Sequence, residues 1–274
     1  MKTLLFTIIL ILITCSTFSQ KLEKLWSSPA EFKTPESVLY DPDQEMIFVS
    51  NIGPTKDVKN GDGFISLLST DGKIENLYWV KGLNDPKGLA VWGKNLYVAD
   101  MDELVVIEYE SARIVKRYHF PIAKFLNDVT ALSKNMIFIS DMLDHRIYLF
   151  NDGVFTSWKY DPKLENVNGL WAQKGKIYAG TDTIWEIDIE TQEMKEILCN
   201  TGYVDGLQKI GENSFIFSNW EGRIFLSKND EIVKLLDTSE SKINTADISF
   251  APELGILLVP TFNGNTVDAY KLVW

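Results

Sequence analysis

The chain is built from short apolar or alternating runs, rich in β-branched and aromatic residues and punctuated by Gly, Asp and Asn. Such runs read as strands, and no stretch sustains the apolar period of a helix. The runs also repeat. One element recurs as Glu36-Ser-Val-Leu, Lys87-Gly-Leu-Ala, Asn127-Asp-Val-Thr, Asn168-Gly-Leu-Trp, Asp205-Gly-Leu-Gln and Ala246-Asp-Ile-Ser, at spacings of 51, 40, 41, 37 and 41 residues. A second element follows each copy after 13 to 15 residues, ending at Asn51, Asp100, Asp141, Thr181, Asn219 and Thr261. Two further runs complete each repeat, as in Leu104–Tyr109 and Ile114–Phe120. Four short strands per repeat of roughly forty residues describe a propeller blade.

Six repeats predict an all-β, six-bladed β-propeller. The last repeat stops at its third strand, Tyr270–Trp274, and the missing fourth strand is supplied by Lys21–Ser27 near the other end of the chain. Pairing these segments closes the ring and removes the exposed sheet edges. A ring closed in this way is indivisible, so residues 20–274 form one domain. Residues 1–19 read as a secretory signal: Lys2, an apolar run from Leu4 to Ile13, and small residues up to Ser19. The run is too short to span a bilayer, and Thr14 before Cys15 is a poor match to a lipidation site. The expected location is therefore the periplasm or the exterior, with no membrane attachment after cleavage.

Composition narrows the function. With 27 Lys+Arg against 38 Asp+Glu, the net charge of −11 repels phosphate backbones and anionic membranes. Nucleic acid is thus excluded as the first partner, and a monomer acting on a small-molecule substrate or ligand is the default. Beyond the signal the chain has one cysteine, Cys199, which rules out internal disulfides and Cys-based zinc sites. The run Ile197-Leu198-Cys199 places it in the core.

The innermost strand of a blade lies nearest the axis, so the repeat-leading residues form a ring at one mouth of the channel: Glu36, Lys87, Asn127, Asn168, Asp205 and Ala246. Two carboxylates and two carboxamides are the hard oxygen donors that Ca²⁺ prefers. A second ring, from the connections after the second strands, contains Ile52, Met101, Met142, Asp182, Trp220 and Phe262. It predicts apolar walls around a polar floor. His145, in Asp144-His145-Arg146, falls on the same face. Met101, Met142, His145, Trp220 and Phe262 are accordingly the candidate substrate contacts. The same ring also fits a hydrated channel, or a salt bridge centred on Lys87, with no metal.

These motifs, in this order, resemble the SMP-30/gluconolactonase family and its relatives, the squid-type phosphotriesterase and the paraoxonases. Glu36 in Pro-Glu-Ser-Val, Asn127 in Leu-Asn-Asp-Val, Asn168 in Val-Asn-Gly-Leu and Asp205 in Val-Asp-Gly-Leu match its ligand-bearing segments. The resemblance implies a divalent cation, Ca²⁺ above all, held by Glu36, Asn127, Asn168 and Asp205. It further implies hydrolysis of a lactone or related ester, with Asp205 as general base or nucleophile. Lys87 departs from the family pattern. Near the axis an ammonium would repel a cation by about 4 kcal/mol per pair of unit charges at 4 Å and an effective dielectric near 20. Alternatively it pairs with Glu36, or stabilises a developing oxyanion as a second catalytic group. The rival function is a non-catalytic propeller that binds a small ligand or a partner protein.

Overall fold

The computed structural model describes residues 20–228 and 231–273. The signal segment 1–19, Cys15 and Trp274 lie outside the described residues. The described chain forms six four-stranded antiparallel sheets arranged as a six-bladed β-propeller. Five sheets are built from four consecutive strands. The sixth is completed by Lys21–Ser27, which pairs antiparallel with Val267–Val273 in a register running from Lys21 opposite Val273 to Ser27 opposite Asp268. The ring therefore closes where the repeat pattern predicts, although the third strand of the last blade starts earlier, at Val267. Among the described residues no helix is long and apolar enough to cross a membrane.

The core is divided into wedges between neighbouring blades. One cluster joins blades one and two through Phe48, Ile65, Leu89 and Val98. Another joins blades two and three through Tyr97, Leu104, Ile137 and Tyr148. The last and first blades meet through Leu258, Ala269, Val38 and Phe32. Every blade thus buries an apolar face on each side, and no blade has a core of its own. Cys199 is a correction to the sequence reading. It is exposed, because strand alternation turns Leu198 inward and its neighbour outward.

Near the axis the strands approach so closely that side chains are restricted. A Cβ on Gly88 would lie 2.5 Å from Asp128 Cα, and one on Gly169 would lie 2.5 Å from the Asp205 carbonyl oxygen. One on Gly206 would collide with the backbone nitrogen of Ile248. The innermost strands also break register at one phase: between Pro35 and Val38, Pro86 and Leu89, Leu126 and Val129, and Val204 and Leu207. A bulge turns its side chain out of the regular alternation, and these bulges contain Glu36, Lys87, Asn127 and Asp205. Hydroxyls on the second strands hold three of them open, those of Glu36, Asn127 and Asp205. Ser50 accepts from the Ser37 N–H at 2.9 Å, Ser140 from the Asp128 N–H and Ser218 from the Gly206 N–H, both at 2.8 Å.

The close approach at Gly206 predicts a sharp stability difference between two glycines of one strand. Gly206→Ala should cost about 1–3 kcal/mol by overpacking, lowering Tm by roughly 3–10 °C. In Gly211→Ala the new Cβ meets only the Ser214 side chain, at 3.4 Å or more, and the change should stay within about 0.5 kcal/mol. Thermal unfolding followed by circular dichroism separates the two.

Candidate functional site

The loops that carry the site are tied down from the neighbouring strand. The Asp100 carboxylate, at the end of a second strand, accepts the N–H groups of Asn84 (2.9 Å) and Asp85 (2.6 Å). Asp141 likewise accepts those of Lys124 (2.8 Å) and Phe125 (2.9 Å). Asn51 accepts from the Lys33 N–H at 3.0 Å, and Asn219 donates to the Tyr203 carbonyl at 2.6 Å. In four of the six blades one polar residue thus fixes the segment leading into an innermost strand, and with it the side chain presented to the axis.

The result is a cavity of about 430 Å³ at one mouth of the channel. Its lining includes Glu36, Lys87, Asn127, Asn168 and Asp205 from the predicted ring, all buried, with Ile52, Met142, Trp220 and Phe262 from the predicted second ring. Trp220 and Phe262 meet edge to face, with centroids 4.4 Å apart. Met101 and His145, expected as substrate contacts, are not among the lining residues. Both occupy left-handed turn positions, at φ 59° and 51°. The Met101 carbonyl is spent on the Leu126 N–H. The sequence reading also missed Lys56, Asp57, Asp85, Phe125, Asn166 and Tyr203, all of which line the cavity.

Asn168 donates from Nδ2 to Asp205 Oδ1 at 3.1 Å. Glu36 Oε2 and Asn168 Oδ1 are buried and have no hydrogen-bond partner. Lys87 does not bond to Glu36. Its ammonium pairs with Asp85 Oδ2 at 2.9 Å, donates to the Asp85 carbonyl at 3.2 Å, and sits 4.7 Å from the centre of the Phe125 ring. One layer deeper, Asp128 accepts the N–H groups of Val129 and Leu170, both at 2.6 Å, while Asp247 accepts the Ser37 hydroxyl at 2.6 Å.

Four carboxylates therefore share the axis. Burial, then the nearby Asp247 charge, pushes Asp205 up to about 8 against the hydrogen bond from Asn168. Burial raises Asp247 to about 7 against the Ser37 hydroxyl. Glu36 is raised well above the usual carboxylate range by burial and by Asp205, with Lys87 opposing. Asp128 is raised by burial and by Asp247, with its two backbone N–H bonds opposing. A site of this kind demands positive charge, from protons or from a cation. The donors of the ring fit a hard cation, since its two carboxylates and two carboxamides line the cavity and two of their oxygens lack partners. Among the described residues no three His, Cys, Asp or Glu side chains converge as a metal-binding group. A cation here would rely on the carboxamide oxygens.

No protein-family model and no curated protein sequence matches the chain. Solved structures do. A structure provisionally described as a gluconolactonase shares 14% identity at a TM-score of 0.67, covering 93% of each chain. A catalytically inactive virginiamycin B lyase from Staphylococcus aureus, solved with quinupristin, shares 14% identity at a TM-score of 0.63, covering 93% of this chain and 100% of that one. The WD40 β-propeller domain of Doa1 shares 11% identity at a TM-score of 0.62, covering 86% of this chain and 77% of that one. At these identities the likeness establishes the propeller fold.

The raised carboxylates set the sign of the pH dependence. Below about pH 4, Asp205 and Asp247 are protonated whether the chain is folded or not. Between about pH 4 and their folded values near 8 and 7, the folded state holds protons that the unfolded chain has released. Stability in chelator should therefore fall as pH rises through this window. A Tm drop of roughly 5 °C or more between about pH 5 and pH 8 is expected, and Asp205→Asn should flatten it. Calorimetric unfolding across that range is the check.

Proposed function

We propose that the protein is a divalent-cation-dependent hydrolase, with Ca²⁺ the fitting ion, that opens a lactone or related ester at the channel mouth. The observation that carries this reading is the pairing of partnerless buried oxygens, Glu36 Oε2 and Asn168 Oδ1, with a protonatable Asp205 beneath an apolar-walled cavity. The propeller folds of the gluconolactonase and lyase structures support it by analogy. The same reading has the chain exported, on the strength of residues 1–19, and acting as a monomer.

Glu36, Asn127, Asn168 and Asp205 would hold the cation. When bound, it supplies Lewis-acid polarisation of a carbonyl oxygen and draws protons off the carboxylates around it. The protein's part is positional. Asn168 Nδ2 engages Asp205 Oδ1 and so fixes the carboxylate plane, leaving Oδ2 to take the proton from an attacking water. Ile52, Met142, Trp220 and Phe262 would seat the apolar body of the substrate and keep bulk water from the reacting bond. Walls of this composition favour a lactone or ester with a hydrophobic substituent over a bare sugar acid.

Calorimetric titration of chelator-stripped protein with Ca²⁺ should give one saturable site, weakened about tenfold or more in Asp205→Asn. A panel of alkyl-substituted lactones and aryl esters should then show turnover that chelator abolishes. Asp205→Asn should lower it by about 10²–10⁴-fold. Cation binding without turnover on any member would favour a ligand-binding module. No binding at millimolar Ca²⁺ would overturn the metal site itself.

A further inference from the structure

The chemistry outlined above makes no use of Asp85, yet this residue holds the ammonium of Lys87, a lining residue of the cavity. Asp85 is 1% exposed, and its position is imposed from behind. Its N–H and that of Asn84 are held by the Asp100 carboxylate, which lies 3.4 Å from Arg117 Nη1. Pro86 follows and starts the innermost strand of blade two, two residues before Gly88 meets the backbone of blade three. Within this fixed frame Asp85 Oδ2 accepts both the Lys87 ammonium, at 2.9 Å, and the Asp57 N–H, at 3.2 Å.

Lys87 thus has three attractions that draw it off the axis: the Asp85 carboxylate, the Asp85 carbonyl and the face of Phe125. Glu36 lies within the reach of its charge, yet Glu36 Oε2 stays buried without a partner. The flexible stem of a lysine lets its ammonium pair with the nearest available carboxylate. Were Asp85 neutral, that carboxylate would be Glu36, and the ammonium would occupy the centre of the ring.

We propose that Asp85 is a positioning residue: it parks the Lys87 ammonium against Phe125 and so keeps Glu36, Asn127, Asn168 and Asp205 open to a divalent cation. This rests on the cation-site reading above. It accounts for a lysine standing in a ring whose other polar members, Glu36, Asn127, Asn168 and Asp205, all offer oxygen donors. It also links the ring to the 52–62 connection over the mouth, because the same carboxylate oxygen anchors the Asp57 N–H.

The test compares the wild type with Asp85→Asn, Lys87→Met and the double variant, by Ca²⁺ titration calorimetry on the full chain. Asp85→Asn should weaken Ca²⁺ binding by about tenfold or more. The double variant should regain wild-type affinity or better, since the competing ammonium is gone. Lys87→Met alone keeps the Asp85–Asp57 anchor and should bind at least as tightly as wild type. Unchanged affinity in Asp85→Asn, a double variant as weak as Asp85→Asn, or weaker binding in Lys87→Met would each overturn the proposal. A crystal structure of Asp85→Asn in chelator reads the ammonium position with no cation involved. Lys87 paired with Glu36 supports the proposal, and Lys87 still on Phe125 refutes it. Failure of the wild type to bind Ca²⁺ would sink the cation-site reading, while this structure would still decide what Asp85 does to Lys87.

Discussion

Four carboxylates are buried around one axis: Glu36, Asp128, Asp205 and Asp247. Removing a carboxylate from water is costly unless hydrogen bonds or opposite charge compensate. The two layers of the channel meet this constraint differently. In the deeper layer Asp128 is held by two backbone N–H groups and Asp247 by a hydroxyl. At the mouth, Asp205 has one amide and Glu36 Oε2 has nothing. The unmet demand for positive charge therefore sits where the channel opens into an apolar-walled cavity, which is where a hard cation or a transferred proton is useful.

The architecture creates this demand and also withstands it. Six wedges of apolar packing between blades hold the ring together, and the strand Lys21–Ser27 closes it on Val267–Val273. Because no blade has a private core, an electrostatic cost at the axis is carried by the whole ring. Register breaks at one phase in four blades turn the leading side chains toward the axis, and glycines at 88, 169 and 206 let neighbouring innermost strands come into close contact. Tight packing at the axis and raised carboxylate affinities for protons are thus one fact seen at two levels.

The blade count, the closing strand and the ring of leading residues were legible in the sequence because axial geometry constrains every repeat in the same way. What fell outside the repeat was not legible. Met101 shares the phase of Met142 and Trp220, and His145 follows Met142 by three residues in one connection, yet neither is among the residues lining the cavity. The connection over residues 52–62 is longer and reaches it with Lys56 and Asp57. Phe125, Asn166 and Tyr203 come from inter-blade segments of unequal length, which no periodic pattern locates. Asp85 did leave a signal, an acid two residues before an unexpected lysine with proline between them. Reading it required knowing that the ammonium turns back along its own chain. Cys199 was misplaced because a short apolar run does not reveal which of its faces is inward.

The central claim is that the mouth of the channel is a cation site kept free of its own lysine. Anomalous diffraction from crystals grown with a lanthanide in place of Ca²⁺ tests it most directly. The account predicts one peak on the axis, about 2.3–2.6 Å from oxygens of Glu36, Asn127, Asn168 and Asp205, with Lys87 still paired to Asp85. No peak at that position, or the Lys87 ammonium lying within the ring, would contradict it.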